Sequence, residues 1–446
     1  MRDLGSSLEN KRWWSLLKDN RFVFIHLFFW LCIYLLLGLF NWVKNMPDNG
    51  NVSWYDAGWY RSIRDGGYQY HSDQQSNVAF FPLFPLIWKI LHLNNIRMGL
   101  INWLICFLSM VMLKKSLKLQ TRETLLFLSL PSMMFMYLPY TEATFLFFCS
   151  VFLIGMYEKR TSWILVGLFF SSLVRPTAMF YIPALIFSEF VVARANGENF
   201  KAPLKRILLY SGISALALLL VAIVQRYQTG EWFLFFEVQG QFWNHKLTMP
   251  QLPFTTWDEA RILWLDGIAL AFGIMAFLFC IVWKFRALFR RFENQNSPPA
   301  IVLFSAVFLS LSTFSVVFFD ARDSPEGTTL LSLNRYILAS PFFIVFLWHI
   351  LKPGEFLKEY FILLLISAAI VWYCLYPVTE FEGLKQHVLH KNKAELYLGG
   401  ICVYLGLYLL MKFKEIRSEL IGGVYCLNLV LQLYLLNEFL KQNWVG

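Results

Sequence analysis

The chain of 446 residues is 57% hydrophobic and only 15% charged, and its mean hydropathy is +0.51. A water-facing surface needs more polar side chains than this composition supplies, so we predict an all-α polytopic membrane protein rather than a soluble one. The net charge of +10 does not indicate nucleic acid as a partner, because most basic residues fall on one side of the predicted topology.

Apolar runs of membrane-spanning length recur from residue 21 to residue 440. The first run, Phe22 to Trp42, follows a polar stretch and precedes no small-residue cleavage site, so we expect an anchor rather than a signal peptide. Hydropathy predicts about 11 to 13 spans, which start near residues 21, 98, 123, 140, 161, 177, 206, 263, 299, 335, 357, 397 and 418. Residues 1–20 are then cytoplasmic, and most of the 39 lysines and arginines lie on the inner side.

The predicted topology makes residues 1–446 one transmembrane domain with its long connections on the outer face. These are a first outer loop at 43–97, a second large loop at 225–262 and a further loop at 377–396, whereas the inner connections are short and basic. Loops on a rigid helical scaffold commonly carry functional sites, so we expect the site on the outer face.

The first outer loop contains the most unusual sequence, "WYDAGWYRSIRDGGYQY" at residues 54–70. Four of its residues recur at helical spacing and predict a short helix in the membrane interface: Trp54, Gly58, Arg61 and Asp65. Gly66 and Gly67 are expected to end that helix.

Two later segments place prolines inside apolar runs. The stretch from Asn77 to Leu91 is short and holds Pro82 and Pro85, so it predicts a half-buried or re-entrant element. In residues 129–148 two more prolines break the run, and Glu142 lies among apolar neighbours. An ionisable group there is costly, so Glu142 should face the bundle interior or the outer boundary.

Asp56 is the first candidate for chemistry. It follows the first span inside an aromatic frame, where partial desolvation could tune a carboxylate as a general base. The alternative is an interfacial helix cap or a solvated charge. Asp65, beside two glycines, is interpreted as a turn residue, and Asp73 as part of a loop.

Arg175 and Arg335 form the second candidate group, each at the outer edge of a predicted span. Such arginines commonly extend to the membrane surface without a further role. The functional interpretation is phosphate binding, because a guanidinium contacts a phosphate at two points and keeps its charge in an apolar site.

The histidines and cysteines indicate no strong metal site. His387 and His390 stand three residues apart without a third ligand nearby, and His245 is interpreted as a polar contact in a pocket. All seven cysteines lie in apolar segments, so we expect neither disulfides nor zinc ligands. Neither a phosphate-binding loop nor a hydrolase motif is present, and nothing suggests a soluble nucleotide-binding domain, which argues against a nucleotide-sugar donor.

Taken together and in order, several motifs resemble the PIG-V-like mannosyltransferases, relatives of the enzyme that adds the second mannose to glycosylphosphatidylinositol. The family's first outer loop carries a tryptophan, an aspartate, an aromatic residue, "GY" and then "AFFPLFP". The matching residues here are Trp54, Asp56, Trp59, Tyr60, Gly67, Tyr68 and Ala79 to Pro85. Later matches are "PYTEA" (139–143), "RPTA" (175–178), "EVQGQFWN" (237–244) and "NRYILASPFF" (334–343).

The resemblance implies a GT-C glycosyltransferase that inverts the anomeric carbon and takes its sugar, mannose in this family, from a polyprenyl-phosphate donor on the outer face. Asp56 matches the family's general base. Arg335, helped by Arg175, would hold the donor phosphate. The expected substrate-binding residues are Trp54, Trp59, Tyr60, Tyr68, Glu142 and His245. No cofactor is required by this scheme, and a divalent metal is left open without being predicted.

Two departures from the family pattern bear on the acceptor. The eukaryotic members have "HWD" where this chain has "WYD", and Ala178 stands where the family has glycine. The first motif looks more like that of bacterial members, which favours a bacterial plasma membrane over the endoplasmic reticulum. The expected partners are the lipid donor, a lipid-linked or cell-surface glycan acceptor and membrane lipids, with no nucleic acid.

Two other functions stay open from the sequence. A transporter or flippase of lipid-linked sugars would also have broken helices and buried charges, although no internal repeat is visible and the polar features fall on one face. A non-catalytic subunit of a glycosylation complex is the other alternative, and the intact aspartate argues against it.

Overall fold

The computed structural model of the protein describes residues 20–241, 245–256, 262–289, 298–321, 327–352, 357–375, 391–413 and 415–446. The helices are α1 (Arg21–Leu39), α2 (Asp56–Gly66), α3 (Leu83–Leu91), α4 (Asn95–Leu117), α5 (Thr121–Ser129), α6 (Glu142–Glu158), α7 (Thr161–Ser172), α8 (Tyr181–Ala195), α9 (Lys201–Thr229), α10 (Leu234–Gln241), α11 (Leu263–Leu288), α12 (Ala300–Phe318), α13 (Leu333–Leu338), α14 (Pro341–Leu351), α15 (Leu357–Leu375), α16 (Lys391–Leu410) and α17 (Arg417–Leu440). Short 3₁₀ helices cover Asn51–Ser53, Asn77–Ala79, Pro131–Tyr137 and Pro176–Phe180. The strands are β1 (His245–Leu247), β2 (Phe254–Thr255), β3 (Phe319–Ala321) and β4 (Thr328–Thr329).

The structure confirms a mostly helical polytopic membrane protein. Among the described residues, seven helices are long and apolar enough to cross a membrane: α1, α4, α9, α11, α12, α15 and α17. An eighth crossing is possible at Pro131–Tyr137 and α6, which meet at an angle of 101°. The larger number of spans predicted from hydropathy stays a prediction. A helix does begin near each predicted start, with the largest offset at residue 397, where α16 begins at Lys391.

Several predicted boundaries are wrong by a few residues. The short helix after the first span begins at Asp56, and Trp54 precedes it in an extended conformation, so Trp54 does not share a helical stripe with Asp65. The end of that helix is confirmed, because α2 ends at Gly66 and Gly67 has a φ of +75° that glycine adopts without strain. The helices α4, α9 and α16 each extend by a few residues into the loops predicted at 43–97, 225–262 and 377–396.

Small strands join the second outer loop to the segment that follows α12. Strand β1 pairs antiparallel with β3, and β2 pairs in parallel with β4. The amide of Thr248 also donates to the carbonyl of Phe318 at 2.8 Å. The sequence analysis did not predict these strands, because they are too short to show an alternating pattern.

The first and second outer loops are joined by side chains at the end of α9. Gln225 donates to the Val78 carbonyl at 2.8 Å, and the Gln228 side chain accepts from the Tyr68 amide at 2.6 Å. The Tyr68 hydroxyl donates to the Phe80 carbonyl at 2.7 Å. These bonds satisfy backbone groups of an irregular loop and so fix the segment that follows α2.

In the bundle core, helices α6 and α7 pack at close range. Gly167 on α7 lies directly against the backbone of Phe152, since a Cβ added at Gly167 would lie 2.4 Å from the Phe152 nitrogen. Small residues permit such close helix contacts inside membranes.

This contact predicts that Gly167→Ala destabilises the protein by about 1–3 kcal/mol, because the added methyl group forces the two backbones apart. Gly212→Ala is the matched control, since nothing lies within 4 Å of a Cβ added there and alanine is the better helix former. Thermal unfolding in detergent should show a lower midpoint for the first variant only. Equal midpoints would contradict the close contact.

Candidate active site

The site is organised around an ion pair between Asp56 and Arg335. Asp56 is the first residue of α2, and Arg335 lies in α13, which follows strand β4. An Asp56 carboxylate oxygen lies 2.7 Å from Arg335 Nη2. The Arg335 side chain is only 4% exposed and that of Asp56 is 18% exposed, so a ligand could reach the carboxylate from outside while the guanidinium stays largely buried.

A second carboxylate and a second arginine extend this pair. Glu142 begins α6 at the bend of the broken helix, and its side chain has no exposed surface. Its Oε1 atom pairs with both Arg335 Nε, at 3.4 Å, and Arg175 Nη2. Arg175 Nε also donates to the Thr141 hydroxyl at 2.8 Å. We call the row Asp56–Arg335–Glu142–Arg175 the buried ion chain; its two positive and two negative charges balance.

Aromatic rings surround the Arg335 guanidinium. Its central carbon lies between 5.3 and 5.6 Å from four ring centres: Phe135, Tyr140, Tyr336 and Trp444. Arginine is attracted to aromatic faces at this distance. Arg335 Nη1 is buried and makes no hydrogen bond to any residue that the structure describes, so the guanidinium keeps a donor for a ligand.

Residues after α17 close one side of the site. Trp444 lies 4.7 Å from the Tyr55 ring in an edge-to-face contact, and the Tyr55 hydroxyl donates to the Gln442 carbonyl. Tyr55 has φ +55° and ψ −124°, a strained conformation for a residue with a side chain. These contacts hold the residue that directly precedes Asp56 and so determine where the carboxylate points.

A buried polar network fixes the position of Arg335. Asp266 on α11 accepts hydrogen bonds from both the backbone and side-chain nitrogens of Asn334, each at 2.9 Å. The Ser132 hydroxyl donates to the Asn334 side chain at 2.8 Å. The network therefore connects three separate parts of the chain at the residue next to Arg335. Sequence reasoning missed Asp266, although a lone acid within an apolar run is itself a signal.

The other predicted contact residues fall into two groups. Tyr60 lies in the site, with its hydroxyl 3.3 Å from Thr141 Oγ1. Burial raises the pKa of the Tyr60 hydroxyl far above its usual range, and the charge of Asp56 adds to this, so Tyr60 stays a neutral phenol. The ring of Trp59 stacks on Phe80. The Trp54 carbonyl accepts from the Tyr140 hydroxyl at 2.9 Å and so supports the segment before Asp56.

The sequence predicts that Tyr68 and Glu142 bind substrate. In the structure, both side chains contact other residues of the protein. Tyr68 is buried in a separate cluster with Val78 and Leu234. Glu142 lies between the two arginines and holds them together. The side chain of His245 and all of His387 and His390 lie outside the described residues.

No group of three metal-binding side chains occurs within the described ranges. Comparison of the chain with protein-family models, with curated proteins and with solved structures found no match. The resemblance to the PIG-V-like mannosyltransferases therefore stays a prediction that the quoted motifs carry.

The burial of Glu142 predicts that Glu142→Gln costs about 3–5 kcal/mol of stability, because it leaves Arg335 and Arg175 buried without their shared counter-charge. The control is Asp65→Asn, which breaks an ion pair with Arg64 in which the Asp65 side chain is 59% exposed and should cost about 1 kcal/mol or less. Denaturation in detergent measures both. Similar losses in the two variants would contradict a structural role for the buried ion chain.

Proposed function

We propose that the protein is a membrane glycosyltransferase of the GT-C class that moves a sugar, mannose by resemblance, from a polyprenyl-phosphate donor to a lipid-linked or cell-surface glycan acceptor. The observation that carries the proposal is the 2.7 Å pair between the accessible Asp56 carboxylate and the buried Arg335 guanidinium. A base and a phosphate-binding cation in contact match the two groups that this reaction needs.

Donor binding changes the state of the base. In the ligand-free site the Asp56 carboxylate is held in an ion pair with Arg335 at 2.7 Å, so it is not free to accept a proton from an acceptor hydroxyl. A donor phosphate can accept two parallel hydrogen bonds from the guanidinium, whereas the Asp56 contact in the structure is to Nη2. The buried Nη1 of Arg335 has no hydrogen-bond partner among the described residues and is a second donor for the phosphate. The phosphate then displaces Asp56, and the released carboxylate is free to contact the acceptor hydroxyl only when a donor is present.

The transfer step follows from this arrangement. The acceptor oxygen forms a bond to the anomeric carbon while the bond from that carbon to the phosphate oxygen breaks. The electron pair leaves with the phosphate, whose growing charge Arg335 stabilises. The acceptor proton passes to Asp56. Attack from the side opposite the leaving phosphate inverts the anomeric centre.

Glu142 and Arg175 support Arg335 in this scheme. Because Glu142 contacts both arginines, Arg335 stays in place when Asp56 leaves it. The aromatic rings around Arg335 exclude water, which strengthens the attraction between guanidinium and phosphate. On the predicted topology the site lies on the extracytoplasmic face, and we propose a bacterial plasma membrane as its location.

Transfer of radiolabelled mannose by the purified protein in lipid tests the reaction, with polyprenyl-phosphate mannose and GDP-mannose offered separately. We expect label to move only from the lipid donor. Asp56→Asn should lower the rate about 100-fold or more, because a general base contributes at least that factor. Asp73→Asn is the control, an exposed aspartate of the same loop that should leave the rate unchanged.

Retained activity in Asp56→Asn would overturn the general-base role. The main competing function is transport of a lipid-linked sugar, which the buried ion chain also favours because transporters place charges inside the bundle. Movement of labelled lipid across the bilayer, with no glycosidic bond formed, would replace the transferase proposal with that one.

The phosphate-binding role predicts that Arg335→Lys weakens donor binding by about tenfold or more, because lysine keeps the charge but loses the planar pair of donors. The matched control is Arg97→Lys, an exposed arginine in the first turn of α4. Binding of polyprenyl phosphate to each variant in detergent measures the effect. Equal affinity for the wild type and Arg335→Lys would place the phosphate elsewhere.

A further inference from the structure

A second charged feature lies at the other end of α2. A cavity of about 960 Å³ opens there between α2, α3 and the start of α4. Its charged and aromatic lining consists of Arg61, Arg64, Asp65, Trp88, Lys89 and His92. We call this cavity the outer basic basin. It is separate from the buried ion chain, because Asp56 and Arg64 are eight residues apart on one helix, or about 12 Å.

One arginine and the aspartate of the basin are already paired with each other. Arg64 donates to Asp65 at 2.7 and 3.0 Å and to the Leu93 carbonyl at 3.3 Å. Its guanidinium lies 4.5 Å from the centre of the Trp88 ring, and Trp88 is completely buried and donates to the Leu93 carbonyl. Arg64, Asp65 and Trp88 therefore form a fixed floor of the basin, and the Asp65 carboxylate is already paired with Arg64.

Two cations of the basin, Arg61 and Lys89, make no ion pair with any residue that the structure describes. The hydrogen bond from Arg64 holds the pKa of Asp65 below its usual range, and the charges of Arg61 and Lys89 add to this. The positive charges of Arg61 and Lys89 line one cavity and repel each other, so an anion bound between them would be stabilised. The basin thus has the shape and charge for a phosphate group.

Apolar surface beside the basin indicates a lipid as the source of that phosphate. On α3, Leu86 and Ile90 are 50% and 64% exposed and flank Lys89 in sequence. On α4, Leu100 is 52% exposed. A cationic cavity next to exposed apolar side chains matches a head group above its acyl chains.

We propose that the outer basic basin binds the phosphate of an anionic lipid through Arg61 and Lys89, with Arg64 and Trp88 as its floor. The proposal does not depend on the transferase reaction, because it concerns binding alone.

Titration calorimetry of the full chain in a neutral detergent tests this binding. The probes are short-chain phosphatidylglycerol, short-chain phosphatidylcholine and inorganic phosphate. We expect phosphatidylglycerol to bind the wild type at least tenfold more tightly than either other probe. Binding should weaken as salt rises from about 0.05 to 0.5 M, because salt screens exposed charges.

The variant Arg61→Gln/Lys89→Gln should weaken phosphatidylglycerol binding at least tenfold. Arg97→Gln, which removes one exposed charge nearby but does not line the basin, should change it less than twofold. Lys89→Arg should bind like the wild type, which shows that the charge is what matters. Unchanged binding in the double variant, or equal binding of phosphatidylcholine, would overturn the proposal. Tight binding of inorganic phosphate that the double variant loses would reassign the basin to a soluble anion.

Discussion

The enclosure of four charges in one row, two of them buried and two partly buried, is the constraint on which the rest of this structure depends. Removing an ion from water costs several kcal/mol even in favourable settings, and apolar residues of similar size often stabilise a protein better. The buried ion chain therefore needs close geometry between four separate parts of the sequence. Glu142 meets that need by contacting both Arg335 and Arg175, and the broken helix before it places its carboxylate at the bend.

Contacts made by neighbouring residues hold two members of this row, Arg335 and Asp56, in position. Asn334 is fixed by Asp266 and Ser132, which leaves the neighbouring Arg335 little freedom. Trp444 contacts the ring of Tyr55, whose strained backbone sets the direction of Asp56. Strain of this kind persists only where surrounding contacts over-determine it, and it concentrates at functional sites. A charged pair that is costly to bury and a strained residue beside it are features that concentrate at functional sites.

Much of the architecture could be predicted from the sequence because the apolar runs are long. A helix begins close to every start read from hydropathy, and Gly66 and Gly67 end α2 as turn chemistry predicts. Asp56 and Arg335 could also be selected, since each is a charge beside apolar residues. Their pairing could not be predicted, because residues 279 positions apart show no common period. The contact of Trp444 with Tyr55 could not be predicted either, because the two residues are far apart in the sequence. Trp54 is extended and departs from helical spacing because α2 begins two residues later.

The central claim is that a lipid phosphate replaces Asp56 as the partner of Arg335 and so frees the Asp56 carboxylate to accept the acceptor proton. Cryo-electron microscopy of the protein with bound polyprenyl phosphate tests it directly. We predict that the phosphate contacts the Arg335 guanidinium, that the Asp56 carboxylate has moved out of ion-pair distance, and that Glu142 keeps its contact with Arg335. A phosphate bound elsewhere, with the Asp56–Arg335 pair still at 2.7 Å, would contradict the claim.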